Sequence, residues 1–342
     1  METIRAWAAM ERGAALVPFE YEAGSLGPGE VEVAVRYCGI CRSDLSMIDD
    51  DWGISRYPLV PGHEIVGEVV AVGSGVTGVR PGQTVGIGWY SGSCNHCVRC
   101  LSGHHNLCAR SEGVIVGRHG GFAERVRCRE PWAVPIPWGV DPRTAGPLFC
   151  GGITVFAPIV ELGVSPLDRV GVVGIGGLGH MAVRFLSAWG CHVTAFTTSP
   201  EKAGDARAMG AHEVVGTRDA GALDALAGTL DLVLVTVNVP LDWERYVAAL
   251  APGGRMHLLG GVPEPVPVQA FSLITAARSI SGSPVGSPAT IARMLDFSAR
   301  HGIAPTVEAF PMSAVNEALD RLRAGRARYR IVLEADFDAA GR

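Results

Sequence analysis

Lysine is almost missing from this chain: of its 29 lysine and arginine residues only one, Lys202, is a lysine. Also missing is any apolar run near the ~20 residues that a membrane-spanning helix needs. The first ten residues carry Glu2 and Arg5 and have no apolar signal-peptide core, so the expected compartment is the cytoplasm. No repeat, low-complexity tract or long charge run interrupts the sequence. The formal net charge is only −5 and the basic residues are scattered, which argues against a nucleic-acid or anionic-membrane footprint. A disordered chain is excluded as well, because 48% of residues are hydrophobic and only 18% are charged.

What is present is a 342-residue chain, too long for one ordinary core, and two domains are the natural division. The first ~150 residues read as short strands between Gly and Pro punctuation: Val31–Tyr37, Ile65–Val72, Thr84–Ile87 and Trp132–Ile136. Strands then alternate with helices. Arg169–Val173, His192–Thr197, Leu230–Val237 and Arg255–Leu259 are apolar strand segments, separated by helical patterns at Met181–Trp189, Pro200–Met209 and Leu241–Leu250. Such alternation predicts βαβ units on a buried parallel sheet. Beyond Pro288 come a helix (Ala289–His301), a strand (Thr306–Phe310), a helix (Ser313–Ala324) and a last strand (Tyr329–Glu334). The pattern predicts an α/β chain: a β-rich domain over 1–150 and 288–342, with a doubly wound domain inserted over 151–287.

Nine cysteines in a reducing compartment are thiols or metal ligands rather than disulfides. Cys94, Cys97, Cys100 and Cys108 form a C-x2-C-x2-C-x7-C run. Thiolates two residues apart can turn back onto one ion, and four of them close a tetrahedron around structural zinc. An iron–sulfur cluster or free thiols are the alternatives, but ferredoxin runs are spaced differently and end in Cys-Pro, whereas Cys108 precedes Ala109. His96, His104 and His105 fit surface groups. Cys38, Cys128 and Cys191 fit plain core residues.

Cys41, His63 with Glu64, and Cys150 are too dispersed for spacing to join them, and context does so instead. Cys41 lies in Gly39-Ile40-Cys41-Arg42-Ser43-Asp44. His63 lies in G-H-E-x2-G-x5-G-x2-V, from Gly62 through Gly67 and Gly73 to Val76, and Cys150 lies in Leu148-Phe149-Cys150-Gly151-Gly152-Ile153-Thr154-Val155. Here the sequence resembles the zinc-dependent medium-chain alcohol dehydrogenases, especially their cinnamyl-alcohol-dehydrogenase-like branch, over essentially its whole length. The resemblance implies a GroES-like catalytic domain plus a Rossmann coenzyme domain, two zinc ions per chain, and a homodimer paired along the Ser279–Ser283 segment. It implies Cys41, His63 and Cys150 as ligands of the catalytic zinc, a Cys2His set with one open position. Glu64 is either an alternative fourth ligand or a supporting carboxylate. Asp44 matches the carboxylate that orients the ligand imidazole. Ser43 matches the hydroxyl that bonds the substrate oxygen and passes its proton; a helix-capping serine is the plainer alternative. The family's relay histidine falls at Ser46, so the outer relay is shortened, rerouted or unneeded.

Val170–Gly179 runs a strand into G-x-G-x-x-G, at Gly174, Gly176, Gly177, Leu178 and Gly179, and then into a helix. This is the context in which a glycine turn admits a dinucleotide pyrophosphate at a helix N-terminus. NAD enzymes usually carry an acid at the end of the next strand. Here that strand ends Thr197-Thr198-Ser199-Pro200-Glu201-Lys202, and hydroxyls followed by the only lysine suit a 2′-phosphate. NADP(H) is therefore the expected cofactor. By resemblance, Arg42 and Arg330 contact the pyrophosphate, or are exposed arginines. Trp52, Trp89 and Tyr90 fall where relatives line the substrate pocket, and either point to an aromatic or extended apolar substrate or are plain core.

The expected activity is interconversion of a primary alcohol and an aldehyde, chiefly as aldehyde reduction. Two alternatives accompany it: NADPH reduction of an iminium or conjugated carbonyl on the same scaffold, raised by Ser46, and a non-catalytic zinc-stabilised structural protein. The intact Cys2His set argues against the latter, since a structural role needs no open zinc site.

Overall fold

The computed structural model describes residues 3–337. By backbone packing the chain divides into one unit formed by 1–153 with 285–342 and another formed by 154–284.

Among the described residues, the second unit has a six-stranded sheet. Its order is Glu213–Gly216, His192–Thr197, Arg169–Val173, Leu230–Val235, Leu250–Leu258 and Ser279–Gly282, with every neighbouring pair parallel. Valines and leucines fill its central strands because helices lie between successive strands and both faces are covered; Val170, Val172, Val193, Val233 and Leu234 are fully buried. The strands Arg169–Val173 and His192–Thr197 have the bounds that their apolar runs predict. The Pro200–Met209 helix begins instead as a 3-10 turn, Pro200–Lys202, before Ala203–Ala208 becomes α-helical. Proline at the first position fits such a start.

The first unit is built on strands ordered Val307–Pro311, Arg330–Glu334, Glu30–Ile40, Glu64–Val72, Thr84–Ile87 and Val134–Pro135, with Arg125–Arg129 also pairing to Glu30–Ile40. The two C-terminal strands thus belong to the sheet begun near the N-terminus. The long Glu30–Ile40 strand alternates buried Val31, Val33 and Val35 and ends one residue before Cys41. The segment expected as strand Trp132–Ile136 is a 3-10 turn, Glu130–Trp132, followed by a two-residue strand, Val134–Pro135. Pro131 and Pro135 remove backbone donors that a longer ladder would need. An N-terminal hairpin, Thr3–Ala8 with Val17–Glu22, was not marked by the sequence pattern.

Among the described residues no single helix is long and apolar enough to cross a membrane. Short helices at Arg42–Ile48 and Gly151–Glu161 follow directly after Cys41 and Cys150 and so fix the exit of the chain from each cysteine.

Candidate active site and zinc lobe

Cys41 is the N-cap of the Arg42–Ile48 helix. Asp44, three residues on, is fully buried and accepts three hydrogen bonds. Its Oδ2 takes the Cys41 backbone N–H at 2.8 Å; its Oδ1 takes the Gly62 N–H and the His63 Nδ1–H, each at 2.9 Å. One carboxylate therefore fixes both ligand segments and the imidazole tautomer, leaving the His63 Nε2 lone pair to face the thiols. His63 Nε2 lies 3.3 Å from the Cys150 sulfur, and the Cys41 and Cys150 sulfurs are 3.8 Å apart. Bond lengths of ~2.3 Å to sulfur and ~2.0 Å to nitrogen give tetrahedral edges of about 3.8 Å between sulfurs and about 3.5 Å from sulfur to nitrogen. The donor set fits a zinc ion.

Glu64 completes the cluster: donor atoms of Cys41, His63, Glu64 and Cys150 all lie within 4.8 Å of one another, and all four residues are buried. Its Oε1 is ion-paired with Arg330, while its Oε2 is buried without a hydrogen-bond partner. An orphaned carboxylate oxygen among two thiols and an imidazole is costly unless a cation shares the space. A Cβ on Gly39 would run into this carboxylate, so the glycine before Ile40 is what gives Glu64 its room. Burial pushes the Glu64 carboxyl up to about 7 against the opposing pull of Arg330. The hydrogen bond from Cys150 holds the Cys41 thiol well below its ordinary range, and the same contact pushes Cys150 well above its own. Burial disfavours a charge on His63, yet the Asp44 carboxylate outweighs it and raises the imidazole well above its usual value.

Around this cluster the sequence-predicted residues fall unevenly. Ser43 is half-buried, with its Oγ 3.8 Å from the Cys41 sulfur. Ser46 is buried. Arg42 is exposed, whereas Arg330 is turned inward onto Glu64, a pairing 266 residues apart that no local pattern announces. Trp89 stands edge-on to the His63 ring at 5.0 Å, and half-exposed Trp52 stands edge-on to Trp89 at 5.9 Å. Tyr90 does not join them. It packs against buried Trp132 at 5.2 Å.

The second cluster comprises Cys94, Cys97, Cys100 and Cys108, again within 4.8 Å of one another. Sulfur–sulfur separations of 3.9 Å for Cys94–Cys100, 3.6 Å for Cys97–Cys100 and 3.9 Å for Cys97–Cys108 match the edge expected of a four-thiolate zinc tetrahedron. Asn95, at φ 62°, bends the chain between the first two cysteines. Cys94 is drawn down to about 5, first by a backbone hydrogen bond from His96, while burial pushes Cys100 up to about 11. The other cysteines are core residues: Cys38, Cys128 and Cys191 are buried, and burial raises all three thiols.

In the second unit the glycine turn leaves the Arg169–Val173 strand with Gly174 at φ 90°. A Cβ on Gly179 would collide with the Gly174 carbonyl, so that glycine permits the close strand–helix approach; a Cβ on Gly176 would meet only open space. Gly177 and Leu178 lead into the Gly179–Trp189 helix, whose positive N-terminal dipole end suits a phosphate. Thr197 is buried at the end of the neighbouring strand, Thr198 is exposed and Ser199 half-buried, with the Ser199 N–H donating to Thr197 Oγ1 at 3.1 Å. Lys202 Nζ donates to the Ile175 carbonyl at 3.0 Å. The turn and the hydroxyl-rich strand end fit a dinucleotide with an extra phosphate.

Two family models match the chain: the alcohol dehydrogenase GroES-like domain over residues 27–138, and the zinc-binding dehydrogenase domain over 177–300. The chain belongs to the zinc-binding alcohol dehydrogenase family and is an enzyme of that type. Among its relatives, the aldehyde reductase AdhA of Synechocystis sp. is 54% identical over 96% of this chain and 98% of its own length. A probable cinnamyl alcohol dehydrogenase of rice, 8D, is 40% identical over 96% of this chain and 93% of its own. Among solved structures, a cinnamyl alcohol dehydrogenase from Sorghum bicolor superposes with a TM-score of 0.93 at 36% identity, covering 99% of this chain and 98% of that one. The Helicobacter pylori enzyme complexed with NADP(H) gives 0.89 at 27% identity, covering 97% and 98%.

Proposed function

We propose that this protein is a zinc-dependent, NADP(H)-using oxidoreductase that interconverts primary alcohols and aldehydes, working mainly as a reductase of aromatic or extended apolar aldehydes. The observation that carries this reading is the buried Cys41–His63–Cys150 cluster, whose spacing suits zinc and which has a hydroxyl, Ser43, beside it. We assign both zinc sites to the unit formed mostly by the N-terminal half, and the cofactor site to the inserted unit.

A zinc ion held by Cys41, His63 and Cys150 supplies Lewis acidity to a carbonyl oxygen. The protein's own groups do the rest. Asp44 holds the imidazole in the tautomer that keeps Nε2 available. Arg330 balances the charge of Glu64, so that this carboxylate can stay next to two thiols. Ser43 donates its hydroxyl proton to the oxygen that gains charge as hydride reaches the carbonyl carbon, and Ser46, which cannot titrate near neutrality as histidine does, leaves water to reload it. Trp52 and Trp89 offer a flat apolar wall beside His63, which favours conjugated or aryl aldehydes. Tyr90 contributes no part of that wall. The glycine turn receives the pyrophosphate, and Thr197, Thr198, Ser199 and Lys202 receive the 2′-phosphate. The named activities of the relatives, aldehyde reductase and cinnamyl alcohol dehydrogenase, support the same assignment.

The assembly we propose is a homodimer joined along Ser279–Gly282, an edge strand that pairs on one side with Arg255–Leu258. The test of function is NADPH consumption by zinc-replete protein against benzaldehyde, cinnamaldehyde and short aliphatic aldehydes. Turnover should favour the first two and be much slower with NADH. No turnover of any carbonyl would overturn the enzyme assignment, and preference for short aliphatic substrates would overturn the role of the tryptophans.

A further inference from the structure

The glycine turn is held from two sides by side chains that come from elsewhere in the second unit. On one side, the Thr236 hydroxyl, just past the Leu230–Val235 strand, reaches the Val173 carbonyl at 2.8 Å and the Gly174 carbonyl at 2.9 Å. The Thr236 backbone N–H also donates to Val173 O, at 3.1 Å. On the other side, Lys202 donates its ammonium to the carbonyl of Ile175, the next residue of the turn. Consecutive carbonyls at 173, 174 and 175 are therefore engaged by a hydroxyl and a cation. The turn needs such support. Gly174 sits at φ 90°, glycine loses much conformational freedom on being fixed there, and the open space beside Gly176 supplies no packing of its own.

We propose that Thr236 and Lys202 brace the glycine turn in its pyrophosphate-binding shape, so that Lys202 is a positioning residue for any dinucleotide as well as a reader of the 2′-phosphate. The proposal rests on the NADP reading above and adds a coupling to it. A lysine that only met the 2′-phosphate would be invisible to NADH. A lysine that also fixes Ile175 is felt by both cofactors, because a turn that must be ordered on binding lowers affinity in proportion to how rarely the competent shape is populated. Thr236 follows the Leu230–Val235 strand, which lies on the opposite side of Arg169–Val173 from the strand that leads to Lys202, so Thr236 stabilises the turn alone.

The test is the dissociation constant of each cofactor, from quenching of tryptophan fluorescence, together with amide hydrogen exchange of residues 174–178 in the cofactor-free protein. Lys202→Met should weaken NADH by about threefold to tenfold and NADPH by a further tenfold or more, the usual scale of a lost charge-assisted hydrogen bond. Thr236→Val should weaken both cofactors equally, by about tenfold, and Thr236→Ser, which keeps the hydroxyl, should restore them. Exchange in the turn should speed up in Lys202→Met and Thr236→Val and not in Thr236→Ser. If Lys202→Met weakens NADPH alone and leaves exchange unchanged, the brace is wrong and the 2′-phosphate reading stands. If both cofactors weaken by the same factor while exchange rises, the brace stands and the 2′-phosphate reading by Lys202 fails. If neither cofactor nor exchange responds, both fall.

Discussion

The two sulfur clusters of the first unit use similar distances for opposite ends. Cys94, Cys97, Cys100 and Cys108 come from fifteen consecutive residues, the first two half-buried and the last two buried, and offer four like donors. Cys41, His63, Glu64 and Cys150 come from three distant segments, are fully enclosed, and offer mixed donors backed by Asp44 and Arg330. In the first cluster little else holds the lobe: Val98 and Leu101 of its short helix are 81% and 75% exposed. A metal there substitutes for a core. In the second, hydrogen bonds of Asp44 already tie the ligand segments together, and the metal is free to serve chemistry. Donor number alone would not separate the two roles. What surrounds the donors does.

The sharpest way to break this contrast is to remove one cysteine from each. Cys97→Ser should give unstable or insoluble protein, since a structural zinc contributes on the order of 10 kcal/mol to folding a small lobe. Cys150→Ser should purify as folded protein with near-native circular dichroism and no measurable turnover. Similar solubility of the two variants would erase the distinction, and metal analysis should find two zinc ions in the parent protein and one in Cys150→Ser.

A smaller effect tests the chemistry inside the enclosed cluster. Ser43→Ala should slow aldehyde reduction by ~100-fold or more, the usual scale of a positioned proton transfer, whereas Ser43→Thr should be tolerated. Reduction of an iminium needs no such proton, so a loss below about threefold on the best substrate would move the assignment to that chemistry. Ser46→His should leave aldehyde reduction intact or improve it.

Next comes the support of the ligands. Asp44→Asn keeps the shape and loses the charge; it should weaken the enclosed zinc by ~10–100-fold in competition with a chelator and leave the exposed lobe's zinc untouched. Equal weakening of both sites would show that Asp44 acts on the whole unit.

The smallest effect concerns a second buried histidine, of a different kind from His63. His257 has no carboxylate; its two ring nitrogens meet Ser281 Oγ at 2.8 Å and Ser283 Oγ at 2.9 Å. Burial, helped by Arg255, lowers it from 6.5 to about 4. The unfolded chain therefore takes up this proton first, and the stability contributed by neutral His257 is present above pH 6.5 and lost as pH falls toward 4. The melting temperature should fall through that window, and His257→Gln should flatten the fall. An unchanged pH profile in the variant would remove His257 as its cause.

How much of this was legible in the sequence depends on how local the cause is. The strands Arg169–Val173 and His192–Thr197 were readable to the residue, since β-branched runs bounded by Gly, Pro or polar residues set them locally. The Val17–Glu22 strand was not, because its alternation is only four residues long, half-buried Phe19 and Tyr21 against exposed Glu20 and Glu22, and Pro18 precedes it. The cysteine run declared its own cluster by spacing. Cys41, His63 and Cys150 could be joined only through resemblance, since their convergence depends on sheet pairing across more than a hundred residues. Arg330 on Glu64, His257 on Ser281 and Ser283, and Lys202 on Ile175 had no signal at all. Each is a single long-range hydrogen-bonding choice, and many arginines, serines and carbonyls were available to make it.

Asp44 sets a kinetic character for the enclosed site. Its three hydrogen bonds tie the Cys41 and Gly62–His63 segments together through protein atoms alone, so most of the ordering of those ligands is completed when the chain folds. Metal capture there is docking into a finished receptor. Such a receptor discriminates among ions by size and ligand preference rather than by whether they can drive folding, and it should exchange zinc for cobalt or cadmium in the native protein.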